Sequence, residues 1–288
     1  MLSPAQIVED YGRRYVIRLP EKTLLEATTR KKRVDFACGD EVLVQPLNET
    51  QAVIEELLPR RSLLFRQDAY KTKLFAANVT QVLIVAAAVP APSEELIQRT
   101  LLAAEAAGIQ AALVLNKSDL PESTALQHAW AYYREVLHVP MLAVSALSDV
   151  TALRAQMQGH CNILIGQSGM GKSTLTNALL GEDVARTGTI SVALAAGRHT
   201  TTHTRLYDLD DKTTLIDSPG LQSFGLHHLN AAELLHDFPD MRHLIGQCRF
   251  HNCTHRQEPD CALKAAVLAG SLPEARLAFL QKITDEIG

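Results

Sequence analysis

The chain has 288 residues, 47% of them hydrophobic, and a formal net charge of -4. It is longer than one ordinary domain and rich enough in apolar side chains for packed cores, so two or three globular units are expected, and its charge excludes global basicity as a drive toward nucleic acid. No apolar run reaches the roughly 18 residues of a membrane-spanning helix, and the opening MLSPAQIVEDYGRRY lacks a basic segment followed by an apolar core, so a cytoplasmic protein with no membrane partner is expected.

Residues 1–66 carry short β-forming runs, YVIRL, EVLVQ and QAVIEEL, separated by the turn-forming DYGRR, CGDE and PLNET. This pattern predicts a small β-barrel of about five strands, for which periodicity fits an oligonucleotide/oligosaccharide-binding (OB) type and an SH3-like type alike. The basic run Arg30–Arg33 reads as a solvated loop face that can also meet phosphate.

Residues 67–228 change character. VTQVLIVAAAV predicts a fully buried strand, and PSEELIQRTLLAAEAAG a helix with Ser93 as its N-cap and Gly108 after its end. IQAALVLN, helical STALQHAWAYYREVL, VPMLAVSA, a short helix, CNILIG and KSTLTNALLG continue the alternation, which predicts an α/β unit with a parallel sheet covered by helices. After Gly220 the strand signal stops. Residues 229–288 read as a small helical unit, from NAAELLHDF and LPEARLAFLQKI, around a cysteine cluster.

Chemistry concentrates at the strand ends. GQSGMGKST, the loop Gly166, Gln167, Ser168, Gly169, Met170, Gly171, Lys172, Ser173 and Thr174, follows an apolar strand and opens a helix. There its amides converge on phosphates, Lys172 reaches the β and γ phosphates, and the Ser173 hydroxyl holds Mg²⁺. Asn116, Lys117 and Asp119 of NKSD end another strand. Asp119 accepts from guanine N1–H and the exocyclic amine, whereas adenine would leave it unpaired, which selects GTP over ATP. Ser145-Ala146 supplies a backbone amide near guanine O6. Asp217, in the Asp-x-Pro-Gly form, serves Mg²⁺ through a water, and Gly220 senses the γ phosphate. In GRHTTTHT, register against RLYDL favours Thr202 over Thr201 as a Mg²⁺ ligand.

These elements run base reader, Ser-Ala, phosphate loop, threonine switch, Asp-x-Pro-Gly, which is a GTPase order cut open and rejoined. A parallel sheet tolerates the cut, because each loop still emerges at the same edge. Downstream, Cys248, Cys253 and Cys261 with His255 or His251 offer three thiolates and an imidazole, a set suited to tetrahedral, structural Zn²⁺. Cys38 and Cys161 read as small buried residues.

The rotated motifs, the barrel with GDEV and the cysteine/histidine cluster together resemble the ribosome-small-subunit-dependent GTPase A family, often called RsgA or YjeQ. The resemblance covers nearly the whole chain. It implies a circularly permuted P-loop GTPase domain (67–228), an N-terminal OB-type barrel (1–66) and a C-terminal helical zinc domain (229–288) with Cys248, Cys253, His255 and Cys261 as ligands. It further implies a bacterial assembly factor that docks on the small subunit late in maturation, with hydrolysis stimulated by that subunit. In that setting the barrel docks on rRNA, with Lys31, Lys32 and Arg33 as phosphate contacts, and a monomer is expected. The chain departs from the resemblance in its short C-terminus, which stops soon after LQKITDEIG.

Lys172, Ser173, Thr202 and Asp217 account for nucleotide and metal binding. Water activation needs another group, because Leu221 stands where a water-orienting glutamine occurs in Ras-like enzymes. His199, with His203 second, is assigned on its place in the first switch and on the resemblance. Two other readings are a GTP-switched RNA-binding protein without meaningful turnover and an ATP-dependent enzyme; Asp119 disfavours the latter.

Overall fold

The computed structural model describes residues 2–12, 14–30, 35–67, 72–181, 204–218, 226 and 228–288. Lys31, Lys32, Arg33, His199, Thr201, Thr202, His203, Gly220 and Leu221 lie outside the described residues.

The first five strands are β1 (Ser3–Asp10), β2 (Tyr15–Arg18), β3 (Leu24–Thr29), β4 (Glu41–Pro46) and β5 (Gln51–Leu57). Alternation drives them: Tyr15, Ile17, Leu25, Ala27, Val42 and Val44 turn inward while their neighbours face out. The order β1-β2-β3-β5-β4 closes through β1–β4, with β3 and β5 parallel, the connectivity of an OB-type barrel. In GDEV, Gly39 has φ +96, and a Cβ there would lie 2.2 Å from the Ala77 carbonyl oxygen, so only glycine fits. The neighbouring Asp40 is fully buried and bridged by Arg60 at 2.7 Å through both carboxylate oxygens.

A hairpin, β6 (Leu63–Gln67) with β7 (Thr72–Ala77), follows as a separate sheet and was not anticipated, its strands being short and lacking clean alternation. Then come β8 (Gln81–Ala86), helix α1 (Glu94–Ala106), β9 (Gln110–Leu115), β10 (Met141–Ala143), α4 (Thr151–Met157), β11 (Cys161–Ile165), α5 (Lys172–Leu180), β12 (Thr204–Asp208) and β13 (Thr214–Asp217). The strands order as β10-β9-β8-β11-β13-β12, all parallel except β12. Every residue of β8 is buried, as a strand covered on both faces requires. Ser93 caps α1 by accepting the Leu96 N–H at 3.2 Å.

The helix expected across STALQHAWAYYREVL is divided into α2 (Glu122–Ala129) and α3 (Ala131–Glu135). The interruption buries Trp130, whose indole N–H donates to Glu94 at 2.6 Å while the Tyr133 hydroxyl donates to the other Glu94 oxygen at 2.7 Å. A register of ring placement has replaced helical continuity.

Strand β12 also pairs with β1, Glu9 opposite Arg205 and Asp10 opposite Thr204, so barrel and parallel sheet are one 11-stranded sheet. NAAELLHDF forms turns and a 3-10 helix (Leu234–Asp237) in place of the expected helix. Pro239 forces Phe238 to extended geometry, which stops propagation. Helices α6 (Ala262–Leu268) and α7 (Glu274–Ile287) complete the chain. Helix α7 docks on α1 through Lys282–Glu95 at 2.7 Å and a bidentate Arg99–Glu286 pair. Beside them Arg276 forks onto Asp240 at 2.8 and 2.9 Å, donates to Gln98 of α1 at 3.3 Å and lies over the Phe238 ring.

Candidate functional site

The loops after β9, β10, β11 and β13 emerge at one sheet edge, because those strands run parallel in aligned register. This edge gathers Asn116–Asp119, Ser145-Ala146, Gly166–Thr174 and Asp217. Helix α5 opens at the phosphate loop, so the positive end of its peptide dipoles faces that edge.

Gly171 has φ +90, and a Cβ there would meet the Asn116 side-chain nitrogen at 2.3 Å; the glycine is required because the base-reading element presses against the loop. Met170 is buried and its sulfur accepts the Ala87 N–H at 3.1 Å, which anchors the loop to the end of β8. Lys172 folds over its own loop, donating to the Gly166 carbonyl and to that of Gln167 at 3.0 Å. Burial lowers its pKa, opposed by the charge of Asp217. An ammonium held, among the described residues, by the Gly166 and Gln167 carbonyls fits an anion that would replace them. Ser168, Ser173 and Thr174 present exposed side chains at the same mouth.

Asn116 is buried between two elements: its amide donates to the Met170 carbonyl at 2.9 Å and its oxygen accepts the Ala146 N–H at 3.0 Å. The Ala146 amide expected near guanine O6 is thus directed to Asn116. Lys117, with φ +57, stretches across the Gly169 and Val89 carbonyls at 2.9 Å each. Asp119 is exposed and makes no hydrogen bond among the described residues, leaving both oxygens open to a base. The bridging of Asn116 could not be read locally, because Met170 lies 54 residues away.

Asp217 stands at the end of β13, where burial raises its pKa and Lys172 lowers it. The next residue, Ser218, is buried and shares a hydrogen bond with Thr204 at 3.0 Å. Ser173 and Asp217 are therefore the described residues suited to Mg²⁺; Thr202 and Gly220 belong to the undescribed part.

The ligand atoms of Cys248, Cys253, His255 and Cys261 all lie within 4.8 Å of one another. His255 Nδ1 faces Cys248 Sγ at 3.7 Å and Cys261 Sγ at 3.5 Å. His251 is exposed and outside the group. Burial, and the adjoining thiols, push Cys253 up to about 12, a conflict that a dication resolves by taking thiolates. The Ala262 N–H donates to Cys248 Sγ at 3.3 Å. Glu258 shapes the loop, accepting from the Thr254 N–H at 2.7 Å, the Thr254 hydroxyl at 2.6 Å and the Arg256 N–H at 2.9 Å. The Thr-x3-Glu spacing was the overlooked signal. Cys38 and Cys161 lie apart from this cluster, and burial raises both thiols.

The pattern describing the RsgA GTPase family matches residues 57–227. A small ribosomal subunit biogenesis GTPase RsgA from Neisseria meningitidis serogroup B is 64% identical over 287 residues, covering 100% of this chain and 93% of that protein. The crystal structure of YjeQ from Thermotoga maritima superimposes with TM-score 0.75 at 25% identity, covering 100% of this chain and 99% of that one. YloQ, described as a circularly permuted GTPase, matches with TM-score 0.72 at 24% identity over 100% and 95% of the two chains, a likeness of fold.

Proposed function

Because the chain belongs to the RsgA GTPase family, we propose that it binds the small ribosomal subunit and hydrolyses GTP, stimulated by that subunit, during late small-subunit maturation. The observation that carries the nucleotide reading is Asn116, one buried amide joined to both the phosphate loop and the Ser-Ala turn. Base and phosphates are then sensed by one rigid unit, because a satisfied buried polar bridge leaves neither loop free to move alone.

Lys172 exchanges its loop carbonyls for β- and γ-phosphate oxygens, and the α5 N-terminus adds converging amides. Ser173, Thr202 and, through water, Asp217 would hold Mg²⁺, which would supply neutralisation of the charge developing on the phosphates. Asp119 selects guanine. His199 orients the attacking water, an assignment supported by its sequence position. Cys248, Cys253, His255 and Cys261 hold one structural Zn²⁺, which their donor chemistry suits.

The division of labour is then 1–66 for rRNA docking, with Lys31, Lys32 and Arg33 on phosphates, 67–228 for GTP and GDP, and 229–288 for zinc. The protein acts as a monomer in the cytoplasm; no helix among the described residues is long and apolar enough to cross a membrane.

The test is GTP turnover with and without isolated small subunits, with ATP and Lys172→Ala as controls. Stimulation by the small subunit that is lost in Lys172→Ala supports the proposal. Tight GTP binding with no stimulation by any ribosomal particle overturns it in favour of a switch without turnover.

A further inference from the structure

Three charged side chains stand in a row across three strands. Glu9 of β1 lies opposite Arg205 of β12, and Arg205 lies opposite Asp217 of β13. Residues directly opposed in an antiparallel pair project to the same face with Cα atoms about 4.5–5.5 Å apart, so Arg205 has an acidic residue on the neighbouring strand to either side. Its guanidinium is committed to Glu9. Arg205 Nε donates to Glu9 at 2.9 Å, and its guanidinium lies 5.1 Å from the centre of the Tyr207 ring. The other Glu9 oxygen accepts the Tyr11 hydroxyl at 2.6 Å. The Arg205 and Glu9 side chains are only 18% and 10% exposed, so water does little to loosen the pair. The Asp217 carboxylate is left to the charge of Lys172 and makes no side-chain hydrogen bond among the described residues.

We propose that Glu9, a residue of the barrel, is a positioning residue for Mg²⁺ at the nucleotide site, because by holding Arg205 it keeps a competing cation off Asp217. The inference rests on the reading of Asp217 as the carboxylate that serves Mg²⁺. A guanidinium forked onto Asp217 would occupy the lone pairs that a metal-bound water needs, and its charge cannot be removed at any working pH. Barrel and nucleotide site are thereby coupled: whatever draws β1 away from β12 frees Arg205 for Asp217 and weakens Mg²⁺.

The experiment measures affinity of the full chain for fluorescently labelled GDP across a Mg²⁺ titration. Glu9→Gln should raise the Mg²⁺ midpoint about threefold to tenfold, the scale of re-pairing one partly shielded charge. Adding Arg205→Gln to Glu9→Gln should bring the midpoint back toward wild type, because the competitor is gone. Asp217→Asn is the control and should flatten the Mg²⁺ dependence; if it does not, the reading of Asp217 fails. If Asp217→Asn flattens it while Glu9→Gln leaves the midpoint unmoved, the coupling alone is wrong. An affinity loss in Glu9→Gln that ignores Mg²⁺ and persists with Arg205→Gln is a packing defect and also overturns the proposal.

Discussion

Arg276→Ala would strand the Asp240 carboxylate, whose side chain is 1% exposed, without its bidentate cation. Breaking a buried ion pair from one side costs about 3–5 kcal/mol, because the remaining charge has lost its compensation. Two features hold the loss toward the lower end. Tyr132 still donates its hydroxyl to Asp240 at 2.8 Å, and Arg276 borders a cleft of about 480 Å³ through which water can reach the site. Lost stacking on Phe238 at 4.9 Å and the lost Gln98 contact act the other way, so a net loss of about 3 kcal/mol is expected. Urea unfolding followed through Trp130, the single tryptophan, suits the purpose, since its neighbour Tyr132 touches the pair. With m of about 1–3 kcal/mol/M, the midpoint should fall by about 1–3 M. Arg276→Met with Asp240→Leu should recover most of the loss, because an apolar pair leaves no buried charge. A shift below about 0.3 M in Arg276→Ala would refute the reasoning, since it would place the pair's effect in the range of exposed ion pairs.

Gly171→Ala should weaken GTP binding about tenfold or more, because the new methyl displaces Asn116 and strains a positive φ; calorimetric titration checks this, with circular dichroism expected to stay unchanged. Asp119→Asn replaces an acceptor with an amide donor and should cost GTP about 100-fold, with xanthine nucleotides gaining because they present a carbonyl where guanine presents an amine. Competition against labelled GDP reads both effects. Removing metal with a strong chelator should release one Zn²⁺ and open residues 248–261 to hydrogen exchange, since structural zinc contributes on the order of 10 kcal/mol. Residues 166–173 should keep their protection, and exchange spreading to them would show that the metal supports the nucleotide site directly.

Residues whose chemistry is local could be read from the chain alone. The loop from Gly166, the Asn116–Asp119 turn and the cysteine spacing announce themselves within a few positions, and Ser93 shows its capping role against a backbone amide three residues on. What escaped depends on distant partners. Asn116 was assigned to the nucleotide, yet its tie to Met170 needs the fold. The break at Trp130 follows from Glu94, 36 residues earlier. NAAELLHDF has helical composition, but Pro239 and the burial of Phe238 against α7 decide otherwise. The Asp240–Arg276 fork joins two stretches that carry no joint pattern.

The pairing of β1 with β12 also sets an order of events during synthesis. The barrel's other partners of β1 are made early, but Glu9 and Asp10 must wait for Thr204 and Arg205. At roughly 5–20 residues per second that delay is about 10–40 s, during which the outer edge at the end of β1 faces solvent in a crowded nascent chain. Two adjacent carboxylates on a short open edge repel a second strand of the same kind. A second copy paired there would set these carboxylates against its own, an arrangement that like-charge repulsion disfavours until Thr204 and Arg205 take the edge.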